Sequence, residues 1–137
     1  MREYNRIMLG RASKFADECY TNNFIGADYG ITQDLTNELT DKLRPFNSKF
    51  RPIWLADHPG RSNIAAGLAC GMLWTLCKYL NIGDIVISPN GKKQYFIGEV
   101  KGEYSYIEGD ILPHRRQIDW FNLLIDRSEL SDNLRNS

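Results

Sequence analysis

A surplus of charge of either sign is the first thing this 137-residue sequence lacks: 17 lysines and arginines balance 17 aspartates and glutamates. A chain that coats nucleic acid without regard to sequence needs excess cations to displace counterions from phosphate, so that class is excluded. A reader with one local basic face is still allowed. Cysteine is scarce, and its count of three is odd, which rules out a closed disulfide framework. Cys70 and Cys77 fall in one apolar segment read as a helix, about 10 Å apart along its axis and too far for a bridge. The two histidines are not spaced for tetrahedral ligation, so no metal and no cofactor is expected. The start, Met1-Arg2-Glu3-Tyr4-Asn5-Arg6, lacks the apolar core of a signal peptide. The longest apolar run, residues 64–80, is interrupted by Thr75 and Lys78 and reads as a buried helix, not a membrane span. Together these absences point to the reducing cytoplasm.

What is present is the composition of a folded domain, with 42% hydrophobic and 25% charged residues, at a length that suits one domain with a real core. The pattern predicts a first strand over residues 6–9 and a helix capped by Ser13 and ending near Asn22. A second strand follows at Phe24-Ile25-Gly26-Ala27, then a helix capped by Thr32 with Leu35, Leu39 and Leu43 on one face. Residues 44–60, with three prolines and Trp54, read as an irregular connection. Ser62 opens a helix in which Ile64, Leu68, Met72, Leu76 and Leu80 recur as an apolar stripe, and Gly67 and Gly71 are expected to let it lie close on a sheet. The period then changes. Strands are expected at residues 84–88, 94–101, 104–107 and 114–120, the first two joined by a Pro89-Asn90-Gly91 turn. Helices first and strands last indicate an α+β fold with a small curled or closed sheet. From Arg127 the tail begins like a capped helix and stops in mid-pattern, so residues 1–137 are expected to be a single domain excised from a larger protein.

Three constellations carry candidate chemistry. Asp84 followed by Glu99-Val100-Lys101 is the arrangement by which a small PD-(D/E)xK-like nuclease holds magnesium, with the lysine steadying the attacking water. Strand entry for Asp84 and a surface ion pair for Glu99 and Lys101 explain the same residues. The aromatic set is Tyr29, Trp54, Trp74, Tyr95, Tyr104, Tyr106 and Trp120, of which Trp74 and Trp120 are expected in the core. Tyr29 and Tyr104 lie near Gly30 and Gly102 just past strands, where a ring can project into a pocket mouth and clamp an unstacked base. The basic set is His114-Arg115-Arg116, with Arg61, Lys101 and Lys92-Lys93 elsewhere, suited to phosphate contacts around a flipped nucleotide or simply to a solvated sheet surface.

The segments Met8-Leu9-Gly10-Arg11, Ile25-Gly26-Ala27-Asp28-Tyr29-Gly30, Ile82-Gly83-Asp84-Ile85-Val86, and Phe96 to Tyr106 running on to His114-Arg115-Arg116-Gln117-Ile118-Asp119-Trp120 together resemble a family. It is the EVE-like domains of the PUA superfamily, related to YTH readers and found at the N-terminus of Mrr-type modification-dependent restriction endonucleases. The resemblance implies a PUA-like barrel with flanking helices that binds a methylated or hydroxymethylated base flipped from double-stranded DNA. It implies a nuclease domain in cis beyond Ser137, a role in phage defence, and no catalytic centre in this domain. Carried over residue by residue, the base would meet Asp28, Tyr29, Trp54, Ser62, Asn63, Tyr104 and Tyr106, and the phosphates Arg61, Lys101, His114, Arg115 and Arg116. Where relatives place tryptophan this chain has Ala27 or Asp28, and Asp28 would accept a hydrogen bond from an exocyclic amine. A reader of modified RNA is the alternative within the same class, and a dry protein interface is a third.

Overall fold

The computed structural model describes residues 3–130. Its strands are β1 (Tyr4–Arg6), β2 (Phe24–Ala27), β3 (Ile85–Pro89), β4 (Gln94–Val100), β5 (Ser105–Tyr106) and β6 (His114–Asp126). Its α-helices are α1 (Ala16–Thr21), α2 (Leu43–Asp57) and α3 (Asn63–Trp74), the last continuing into a π turn at Thr75–Tyr79. The fold is α+β, with a curled mixed sheet that forms a half-barrel. The described chain divides into two compact units. One comprises the chain up to Gly26, Asn81–Glu103 and the chain from Arg116 onward; the other comprises Ala27–Leu80 and Tyr104–Arg115.

In the first unit the sheet runs in the order β1-β3-β4-β6-β2. β1 lies parallel to β3, and β3 pairs antiparallel with β4. The β-branched run Ile85-Val86-Ile87 is buried throughout, as a strand covered on both faces requires. The β3–β4 turn follows the sequence closely: the Asn90 carboxamide oxygen accepts from the Lys92 and Gln94 amides at 2.7 and 3.2 Å. β4 meets β6 across a register shift between Phe96 and Gly98. A Cβ on Gly98 would fall 2.6 Å from Ile118 Cγ2 and 2.8 Å from Trp120 Cε3, so this crossing needs glycine. Trp120 donates its indole N–H to the Cys19 carbonyl at 3.0 Å, and Tyr20 stacks on Phe96 with centroids 4.3 Å apart. α1 is thereby tied to the sheet.

Several expectations shift here. The first strand is Tyr4–Arg6, not residues 6–9, because its register places Tyr4 opposite Ile85 and the ladder ends where the Ile7 amide meets the Ile87 carbonyl. Ser13 has φ 61°, which no helix N-cap adopts, and α1 begins only at Ala16. β6 is longer than expected and reaches Asp126, which pairs with Gln94. The expected helical tail gives a 3₁₀ turn at Arg127–Glu129, and residues 131–137 lie outside the described residues.

The second unit departs further from the pattern. Residues 32–42 form no helix, and α2 (Leu43–Asp57) occupies most of residues 44–60, which were expected to be irregular. Prolines do not prevent this. Pro45 sits in the first turn, where amides have no helical partner. Pro52 and Ser48, whose carbonyl a proline four residues on cannot bond, are both exposed residues, where water can replace that bond. Phe46, Phe50 and Trp54 form the buried face of α2. α3 begins where expected: Ser62 caps it by accepting from the Ala65 amide at 3.1 Å. Its buried face, however, is Ala66, Ala69, Cys70 and Leu73, and Ile64 and Leu68 are 78% and 65% exposed. The reason is angular: steps of four residues advance about 40° beyond a full turn, so such a series winds off any one face. The π turn, closed by Leu80 N–H to Thr75 C=O at 3.0 Å, brings Leu76, Cys77 and Leu80 inside. Gly67 and Gly71 do allow a close approach, but to Arg51, Asn47 and Leu43 of α2 and not to a sheet.

Leu73→Ala should therefore cost about 2–5 kcal/mol as a core truncation. Leu68→Ser should stay within about 0.5 kcal/mol of wild type, as an exposed change does. Urea titrations of the two variants check this, and a larger loss for Leu68→Ser would contradict the described face.

Candidate ligand-binding site

Residues 28–36 form a loop whose backbone is held by side chains. The Asp28 carboxylate accepts from the Gly30 amide at 3.0 Å, and the Asp34 carboxylate accepts from both the Thr36 amide and hydroxyl at 2.9 and 2.6 Å. Those Thr36 bonds lower the Asp34 pKa. Asx turns of this kind compete with a helix for the same amides. The decisive bonds lie one step deeper. Leu35 N–H donates to Tyr104 Oη at 3.0 Å, and Tyr104 Oη lies 2.8 Å from His114 Nδ1. His114 Nε2 lies 2.6 Å from the Ile31 carbonyl. A carbonyl only accepts, so Nε2 carries the proton, Nδ1 is the acceptor, and Tyr104 donates its hydroxyl hydrogen to it. In a helix Leu35 N–H would bond Ile31 C=O directly. Here a phenol and an imidazole stand between them.

Burial, the largest influence, pushes the His114 pKa down, against the opposing pull of the Ile31 carbonyl and of Asp28 and Asp34. Burial also raises Tyr104, Tyr106 and Tyr29. The Tyr104 and Tyr106 rings lie 5.9 and 5.1 Å from the His114 ring.

Beyond Asp28 the chain turns through two left-handed residues, Tyr29 at φ 54° and Gly30 at φ 71°. The turn abuts the end of α2: a Cβ on Gly30 would overlap Asp57 Oδ2 and lie 3.2 Å from His58 Cε1. His58 stacks on Trp54 with centroids 4.0 Å apart, its Nδ1 2.8 Å from the Trp54 carbonyl. The Arg61 guanidinium lies over the same indole at 5.5 Å. Trp74 and Trp120 donate their indole N–H groups to the carbonyls of Thr40 and Cys19. Trp54 is 5% exposed, and its N–H has no acceptor. A buried donor without an acceptor costs about 1–3 kcal/mol, so it calls for an explanation at this position.

A family model described as "Domain of unknown function (DUF8426)" matches residues 6–136. The chain belongs to the DUF8426 family. No curated protein and no solved structure matches it.

Against this geometry the residues singled out in the DUF8426 sequence sort cleanly. The seven candidate base contacts, Asp28, Tyr29, Trp54, Ser62, Asn63, Tyr104 and Tyr106, all fall in the second unit. Several of them also have a part in holding the fold. Asp28 braces the Gly30 amide, Ser62 caps α3, and Asn63 is its exposed first residue. Tyr104 is tied through its hydroxyl at both the Leu35 amide and His114. One face of Trp54 is covered by His58, so the unused group is its edge.

The five candidate phosphate contacts do not form a solvated surface. His114 is fully buried, and Arg116, 2% exposed, donates from Nε to the Gly102 carbonyl at 2.7 Å. Alternation along β6 puts both on the inward face with Ile118 and Trp120. Arg115 is held by the carbonyls of Leu112 and Ile111 and by Asp110. Lys101 pairs with Glu99 at 2.8 Å. Arg61 alone of the five is exposed beside the aromatic cluster.

The residues of the nuclease pattern have partners within the fold. Asp84, 3% exposed, accepts from the Glu3 and Asn81 amides at 3.1 and 2.8 Å. Among the described residues no three His, Cys, Asp or Glu side chains converge to hold a metal ion, and no helix is long and apolar enough to cross a membrane. The three cysteines are buried and form no disulfide. His58 and Asp57 were not singled out in sequence. Their signal was the four-residue spacing from Trp54 to His58, which has meaning only on a helix.

Two outcomes follow for this site. Because His114 is depressed below its ordinary 6.5, the unfolded chain binds the extra proton first as pH falls. Its contribution to stability is then whole above that value and is lost below it. The melting temperature should fall on acidification from about pH 7.5 to about pH 5.5, and in His114→Gln it should be lower and nearly flat. A wild-type melting temperature that is constant or rising across that range would refute the assignment. Gly30→Ala should cost about 1–2 kcal/mol from its left-handed backbone. Adding Asp57→Ala should not recover that loss, and a double variant as stable as wild type would show that crowding, not φ, sets the cost.

Proposed function

We propose that the DUF8426 chain reads a modified base extruded from double-stranded DNA, through a PUA-like fold, as the specificity domain of a modification-dependent restriction endonuclease. On this reading it carries no catalytic centre, and the nuclease acts in cis. The observation that carries the proposal is the buried, acceptor-less indole N–H of Trp54. The Trp54 ring lies under the exposed Arg61 and stacks on His58, whose Cε1 lies close to Gly30 of the left-handed turn. A nucleobase supplies what these groups lack: a ring oxygen or nitrogen for the donor, a π face for Tyr29, and a flanking phosphate for Arg61. Strained backbone at a ligand clamp is a common companion of such sites. The curled mixed sheet is compatible with a PUA-like barrel. The engaged state of Asp84 speaks against the magnesium nuclease.

Fluorescence anisotropy on duplexes of one sequence carrying cytosine, 5-methylcytosine, 5-hydroxymethylcytosine or N6-methyladenine tests this. One modified duplex should bind about tenfold or more tightly than its unmodified counterpart, and Tyr29→Ala should reduce that binding by about 1–3 kcal/mol. Equal affinity for every duplex would overturn the proposal, and preference for a modified RNA of the same sequence would replace DNA as the ligand.

A further inference from the structure

The bridge from Leu35 N–H through Tyr104 and His114 to Ile31 C=O has a direction. Each donor faces an acceptor only while Nδ1 of His114 is unprotonated. An imidazolium would aim a second N–H at Tyr104 Oη, which already accepts from Leu35, and the Tyr104 hydroxyl hydrogen would lose its acceptor. Ile31 is the residue after the Tyr29-Gly30 turn, and its own amide closes that turn onto the Asp28 carbonyl at 3.3 Å. The sequence of residues 32–43 has helical periodicity with Leu35, Leu39 and Leu43, and the bridge occupies the donor and acceptor that a helix would join there.

We propose that Tyr104 and His114 are positioning residues for the Tyr29 turn: the bridge holds Ile31, and the turn with it, while His114 is neutral, and protonation of His114 releases both. The charged and titratable groups that face the pair come from three elements. They are Asp28 and Asp34 on the loop, Tyr106 on β5, and Cys77 on the π turn, which faces Tyr104. The two carboxylates favour the imidazolium, and burial outweighs them. The consequence for binding rests on the base-reading proposal above; the behaviour of the loop does not.

The test uses the full chain labelled with ¹⁵N. At neutral pH the His114 ring should show the Nε2–H tautomer, and its titration midpoint should lie below 6.5. The Leu35 amide should exchange about tenfold faster in Tyr104→Phe, which keeps the ring and removes the bridging oxygen, while β3 amides are unchanged. As His114 titrates in wild type, the Tyr29, Gly30 and Ile31 resonances should move with the same midpoint. An Nδ1–H tautomer, a midpoint at or above 6.5, unchanged Leu35 exchange in Tyr104→Phe, or turn resonances indifferent to His114 would each overturn the proposal. The panel of modified duplexes, 5-methylcytosine, 5-hydroxymethylcytosine and N6-methyladenine, added at both ends of the titration separates the two ideas. Loop behaviour as described with no duplex binding at either pH supports this proposal and counts against the base-reading one. Duplex binding with a loop that ignores His114 does the reverse.

Discussion

A hydrogen bond that a helix would make directly is carried instead by two side chains, and the second unit is organised around that substitution. Leu35 N–H and Ile31 C=O are four residues apart, the spacing of an α-helical bond. Tyr104 and His114 reach between them from a segment some seventy residues later in the chain. Both groups are satisfied, so the loop stays open without leaving a buried backbone group unpaired. The arrangement needs one tautomer of one imidazole. The candidate site is therefore linked to the protonation of a residue that cannot itself touch solvent.

Two inward charges elsewhere in the molecule follow the same economy and are bound to backbone. Arg116 lies on the inward face of β6 and is held there by the Gly102 carbonyl, and Asp84 gathers the Glu3 and Asn81 amides. Burying a charge is tolerable only with such partners. Each of these residues looks like chemistry when read as a string of letters. In three dimensions each secures a chain crossing. Trp54 leaves its buried N–H unanswered, as Asn5, Asn47 and Ser88 leave a side-chain polar atom, and the functional reading centres on Trp54 because its ring also meets His58 and the exposed Arg61.

The two helices of the second unit show how small residues and tryptophans divide the work of packing. Gly67 and Gly71 leave room for the side chains of Asn47, Arg51 and Leu43. Phe46, Phe50 and Trp54 fill the buried face of α2. The uncharged stretch from Asn63 to Cys77 contains enough apolar residues for more than one face, and Ile64, Leu68 and Met72 remain outside.

Sequence alone determined what depends on local chemistry. The Phe24–Ala27 strand, the Ser62 cap, the Asn90 turn and the alternation of His114, Arg116, Ile118 and Trp120 were legible because each needs only its neighbours in the chain, but that the face of His114 and Arg116 turns inward was not. The α+β class followed from the change of period. Tertiary structure decided the rest. Proline counts argued against α2, and only packing of Phe46, Phe50 and Trp54 made that helix form. Leucine spacing argued for a helix at residues 32–43, and only the distant Tyr104 and His114 diverted its hydrogen bonds. The stripe beginning at Ile64 was assigned inward because four-residue steps resemble a face over two turns and drift from it over four. The candidate site was half visible for the same reason. Tyr29, Trp54 and Arg61 announced themselves as residue types, whereas His58, Asp57 and the hydrogen bonds of the Tyr104 hydroxyl depend on contacts that no local pattern encodes.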